Sequence, residues 1–241
     1  MIELHYIAMV YEGIILIPVF LLVILSLRNY ISNRTHLSLL LFLILLSYAI
    51  SIVFSWWSKI MTSFFYTDYL EIQNVPDPKT PASWILLRIS YFRLTFAFIN
   101  LAIFFSFEFK KRIFNKIHGK SYTMLIYCLT IFNILFSIFI FEKGMIIFDV
   151  LVFLLAFLFE CIVYIPFFIE ALKNFRITLE PRFKKKFLNL MIMSFSFIIV
   201  LLCLLIDRIF IFMEWGYYTF FYFITWIFVL IGITTAYRGY L

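Results

Sequence analysis

Residues 37–57 read LSLLLFLILLSYAISIVFSWW, twenty-one positions without one charged side chain. At about 1.5 Å per residue a helix over this stretch is about 30 Å long. That is the thickness of the hydrocarbon core of a bilayer. Six similar runs flank it, and together they give candidate spans over residues 10–27, 37–57, 84–107, 123–141, 145–172, 188–213 and 217–237. Two of the connections are tight, Glu142-Lys143-Gly144 and Glu214-Trp215-Gly216, and loops this short make antiparallel neighbours of the spans they join.

Composition agrees. Of 241 residues, 65% are hydrophobic, 22% aromatic and only 14% charged. Soluble domains average about 45–50% apolar and about 25% charged, and a fold of this size has too little interior to hide the excess. These figures exclude a soluble enzyme, a disordered regulator and a nucleic-acid-binding module. The expected fold is all-α: a polytopic, seven-transmembrane-helix bundle forming one membrane domain over residues 1–241, multi-pass in the cell membrane with the lipid bilayer as its first partner. Nothing basic precedes the first span, whereas Glu3 does, so that span reads as retained rather than as a cleaved signal peptide. Cys128, Cys161 and Cys203 all fall inside apolar runs, and His5, His36 and His118 are far apart. No disulfide framework, metal site or cofactor is expected from them.

Orientation follows from Lys and Arg. One side carries Arg28 and Arg34, then Lys110, Lys111, Arg112, Lys116 and Lys120, then Lys173, Arg176, Arg182, Lys184, Lys185 and Lys186, and finally Arg238. The loops of the other side hold Lys59, Lys79 and Lys143. Basic loops stay in the cytoplasm, which puts the N-terminus outside and the C-terminus inside. The residues Lys110, Lys111, Arg112, Lys184, Lys185 and Lys186 are candidate docking points for a cytoplasmic partner, besides their role in fixing topology and touching anionic lipid. The longest outer loop, 59–83, with its run Pro76-Asp77-Pro78-Lys79-Thr80-Pro81, is a candidate lid or a plain connector.

Charge at membrane depth is costly and marks either a site or an internal ion pair. Arg88 and Arg93 fall in the third span, Asp149 and Glu160 in the fifth, Asp207 and Arg208 in the sixth. Counting about 1.5 Å per residue places Arg93 roughly 13 Å and Asp207 roughly 10 Å below the outer end. Asp149 and Glu160 share a helix face, as do Arg93 and Asn100. Asn189, Ser196, Cys203 and Asp207 form a third stripe, and Thr130, Asn133 and Ser137 a fourth. Such stripes turn inward. The candidate ligand-binding residues are therefore Arg88, Arg93, Asn100, Asp149, Glu160 and Asp207. A polar outer pocket and a set of interhelical salt bridges both fit them. Arg93 is expected to pair with Asp207 or Glu160. Ser47, Ser51, Ser55 and Ser58 recur at helical spacing and read as a small-residue packing seam.

The short basic turn from Arg28 to His36 after the first span, and the third span from Trp84-Ile85-Leu86-Leu87-Arg88 through Phe107-Glu108-Phe109-Lys110-Lys111-Arg112, resemble the seven-helix sensory region found at the N-terminus of many microbial histidine kinases. The resemblance implies a membrane sensor or receptor-like protein; a membrane enzyme ranks last, because the sequence offers no His cluster, metal set or nucleophile–base pair. Because no output domain follows the seventh span, it also implies signalling through a separate cytoplasmic partner. Two other seven-helix families fit poorly. The last span has no lysine for a retinal Schiff base, and it lacks the Asn-Pro pair of eukaryotic-type receptors. The alternatives are a small transporter or channel, with Asp149, Glu160 and Asp207 on a proton path, and a membrane-anchoring subunit of a larger complex.

Overall fold

The computed structural model describes residues 2–65, 81–114, 119–140, 146–213 and 219–240. All the regular structure among them is helical: α1 (Ile2–Asn33), α2 (His36–Phe65), α3 (Pro81–Ser90), α4 (Arg93–Ile113), α5 (Lys120–Phe139), α6 (Ile146–Ile177), α7 (Pro181–Phe212) and α8 (Phe220–Tyr240). Six of these are long and apolar enough to cross a membrane. The expected straight third span is instead a pair of helices, α3 and α4, bent by 66°. The candidate lid falls largely on residues 66–80, outside the described residues, as do the tight connections at 142–144 and 214–216. Lys59 does not belong to that loop. It lies inside α2, which runs to Phe65.

Local chemistry accounts for the helix ends. Between α1 and α2, Arg34 takes a positive φ of 50°, and the Thr35 hydroxyl then accepts the Ser38 amide at 3.2 Å, an N-cap bond for α2. Pro81 and Pro181 open α3 and α7, where a missing N–H costs nothing. The break between α3 and α4 has no glycine or proline. It rests on Phe92, held left-handed at φ 58° and ψ 15°, a conformation that costs a non-glycine residue of order 1–3 kcal/mol.

The helices pack as a ring in which α1 touches α2 and α8, α2 touches α4, α6 touches α7, and α7 touches α8. Helix α4 also meets α5 and α6 and so runs through the middle. The core is largely aromatic. Tyr48 stacks on Phe197 with centroids 4.5 Å apart, and Phe96 meets Phe153 edge-on at 4.1 Å. Gly232 lets α8 approach α7 closely, since a Cβ there would lie 2.8 Å from Phe197. Outward faces are apolar, as Ile14, Ile17, Ile24, Met124, Ile131 and Phe139 illustrate. The chain is a polytopic helical membrane protein.

Candidate functional site

The starts of α1, α4, α6 and α8 and the ends of α2, α5 and α7 gather at one end of the bundle, called here the N-terminal end. Charged side chains bind these helix ends together. The backbone carbonyls at the end of α5 carry partial negative charge. Two arginines satisfy them: Arg88 Nε donates to the Ile138 carbonyl at 3.0 Å and Arg93 Nη1 to that of Ile140 at 3.3 Å. Arg93 Nη2 also pairs with Asp149 at 2.5 Å. Asp149 sits in the first turn of α6, where the helix dipole favours an acid. Asp207 serves the start of α8 in the same way, its Oδ1 accepting from the Thr219 amide at 2.8 Å and the Thr219 hydroxyl at 2.7 Å. The expected pairing of Arg93 with Asp207 or Glu160 is therefore replaced by Asp149. The bend at Phe92 turns the start of α4 toward the α5–α6 side, and a depth count along a straight helix could not register that.

A second ion pair was not foreseen from the sequence. Glu12 on α1 and Lys59 on α2 meet at 2.6 Å, and both are fully buried. Glu12 Oε1 also accepts from Ser55 at 3.0 Å and Tyr222 at 2.6 Å. The sequence reading put Lys59 in an outer loop, and Glu12 lies near the start of the first apolar run. The available signal was the serine seam itself, because Lys59 follows Ser55 by one helical turn.

Beneath this layer lies an interior cavity of about 50 Å³, walled by α2, α4, α6, α7, α8 and Phe92. Two waters or more would fit, since each needs roughly 10–15 Å³. Ser51 and Ser55 line it, so the seam borders a cavity as well as packing helices. Glu160 faces it from α6, 1% exposed, and its Oε2 has no hydrogen-bond partner among the described residues. The Thr95 hydroxyl and the Trp226 indole N–H, also in the lining, are buried without a partner there. Arg208 closes the N-terminal end. Its guanidinium lies over Phe92 at 4.7 Å and Phe153 at 5.4 Å. The Phe92 ring also carries the Lys59 ammonium at 5.0 Å, so the strained residue at the break presents an aromatic face to two cations.

Deeper in the bundle, a hydroxyl chain starts in the cavity wall. Tyr48 and Tyr164 lie 3.1 Å apart, and Tyr164 lies 2.7 Å from Ser106. At the far end Lys110 pairs with Glu170 at 3.5 Å.

Of the six candidate ligand-binding residues, the structure places only Glu160 in the cavity lining. Arg88, Arg93, Asp149 and Asp207 serve helix ends. Asn100 accepts from Asn133 at 3.3 Å between α4 and α5. Arg208, Lys59 and Trp226 line the cavity but were not among the candidates. Among the candidate docking residues, Lys110 is withdrawn into the bundle at 1% exposure, and Lys111 is tied to Glu108 at 3.0 Å. Arg112, Lys184 and Lys185 are exposed. Lys186 is half-buried against the Tyr240 carbonyl at 3.5 Å. No group of three or more His, Cys, Asp or Glu among the described residues could hold a metal. No family model, curated protein or solved structure matches the chain.

Proposed function

We propose that this chain is a seven-span, receptor-like membrane protein that binds a small ligand in the interior cavity and signals through a separate cytoplasmic partner. The seven spans count α3 and α4 as one broken span. The N-terminus is outside and the C-terminus, with the exposed Lys184 and Lys185, is in the cytoplasm, as the basic loops require. The observation that carries this reading is the cavity itself, where Glu160 Oε2, the Thr95 hydroxyl, the Trp226 indole N–H and Arg208 Nε have no hydrogen-bond partner among the described residues. Buried polar groups are normally satisfied, so polar groups that converge on a cavity favour a small polar molecule there. The break at Phe92 adds a strained, two-part element to the same wall, the kind of feature found at ligand clamps and switches.

Two measurements test this. With the protein in lipid nanodiscs, pools of small polar metabolites are expected to raise its melting temperature, and Val200→Phe, which fills the lining, is expected to abolish the shift. Absence of any shift, or a shift that survives Val200→Phe, would count against a cavity ligand. For orientation, an impermeant thiol reagent added to intact cells should label a cysteine placed at Asp77 and miss one at Lys185. The reverse pattern would invert the topology.

A second reading is a proton pathway, favoured by the chain from the cavity wall through Tyr48 and Tyr164 to Ser106. Proton flux into proteoliposomes that falls in Glu160→Gln would support it over the receptor.

A further inference from the structure

We infer that the cavity takes a short-chain monocarboxylate, with its carboxylate on Arg208 and its tail among the apolar walls; the inference rests on the ligand-binding reading above. Arg208 lines the cavity, with its guanidinium carbon 4.7 Å from the Phe92 ring centre and 5.4 Å from that of Phe153. No carboxylate, carbonyl or hydroxyl accepts from it among the described residues, and its Nε is buried and unsatisfied. Of the acids nearby, Asp207 accepts from Thr219, and Asp149 hydrogen-bonds Arg93 while attracting Arg208 only through space. An arginine side chain cannot shed its proton, and its planar fork matches a carboxylate through two parallel hydrogen bonds.

A guanidinium does not release its proton, so Arg208 keeps its charge in any surroundings. The permanent requirement of the cavity is therefore for an anion. Glu160 stands seven residues from Phe153 on α6, about 10 Å along the axis, so a single small head group does not reach both ends. Between them the wall is formed by Phe96, Ile99, Leu201 and Leu204, which suits a hydrocarbon tail and disfavours a second carboxylate. A volume of about 50 Å³, at roughly 10–15 Å³ per water-sized group, limits the ligand to a few non-hydrogen atoms. Acetate and propionate fall within that limit, and butyrate, with one more methylene, lies at its edge.

The test uses the full chain in nanodiscs and isothermal titration with sodium acetate, propionate, butyrate and octanoate, with butylamine, succinate and empty nanodiscs as controls. Saturable binding is expected to tighten by about fourfold per added methylene from acetate to butyrate and to be lost at octanoate, which exceeds the cavity. Arg208→Gln should weaken butyrate by about 10- to 100-fold, and Arg208→Lys, which keeps the charge without the fork, should fall between. If Arg208→Gln does not fold, the chain-length and head-group series on the native protein decides alone. Butylamine binding in place of butyrate, and lost in Val200→Phe, would overturn the carboxylate while leaving a cavity ligand intact. Butyrate binding that is unchanged in Arg208→Gln and Val200→Phe overturns the inference. If none of these probes binds, the carboxylate is again overturned, and the metabolite pools decide separately whether the cavity takes any ligand.

Discussion

Replacing Glu12 by alanine is expected to lower the unfolding stability by about 3–5 kcal/mol, because it leaves the Lys59 ammonium buried without its carboxylate. Three donors converge on one oxygen of Glu12, from Lys59, Ser55 and Tyr222, so the loss reaches α1, α2 and α8 together. Lys59→Met should cost a similar amount. The double variant Glu12→Gln, Lys59→Met should recover much of the loss, since removing both charges leaves less to desolvate. Denaturation in mild detergent, followed by helical circular dichroism, would measure all three. Single variants as stable as the native protein would show that the pair is not buried.

Arg93→Ala should cost about 2–4 kcal/mol, from the broken pair with Asp149 and the uncapped end of α5. A double-mutant cycle isolates the pair. Coupling between Arg93 and Asp149 should exceed about 1 kcal/mol, whereas Arg93 and Asp207, which serve different helix ends, should be additive within about 0.5 kcal/mol. Strong coupling of Arg93 to Asp207 would restore the pairing that the helix-depth count alone favours and contradict the bend at Phe92.

That contrast marks the limit of the sequence. The apolar runs announced the long helices because a bilayer demands about 20 apolar residues per crossing, and the inward stripes followed from helical period. Thr130, Asn133, Ser137, Ser196 and Asp207 are all buried, as that period requires. The bend was invisible: Tyr91 and Phe92 carry no helix-breaking chemistry, and nothing local in the sequence marks Phe92 for a left-handed backbone. Every consequence of the bend was lost with it, including the destination of Arg93. Glu12 and Lys59 escaped for a different reason. A charge near the end of an apolar run looks solvated until a partner helix is known to bury it. Arg208 was visible as an intramembrane charge, but only packing reveals that its acidic neighbour Asp207 is already engaged at the start of α8.

The central claim is that the interior cavity is a ligand site open to small polar molecules. The most direct measurement is the modification rate of Ser51→Cys, made in a background with Cys128, Cys161 and Cys203 replaced, by a small water-soluble thiol reagent. Ser194→Cys serves as the reference, since Ser194 is fully buried and outside the cavity lining. The account predicts that the cysteine at position 51 reacts, that the one at 194 does not, and that a bound ligand slows the first. Equal inertness of the two, in protein shown to be folded, would contradict it.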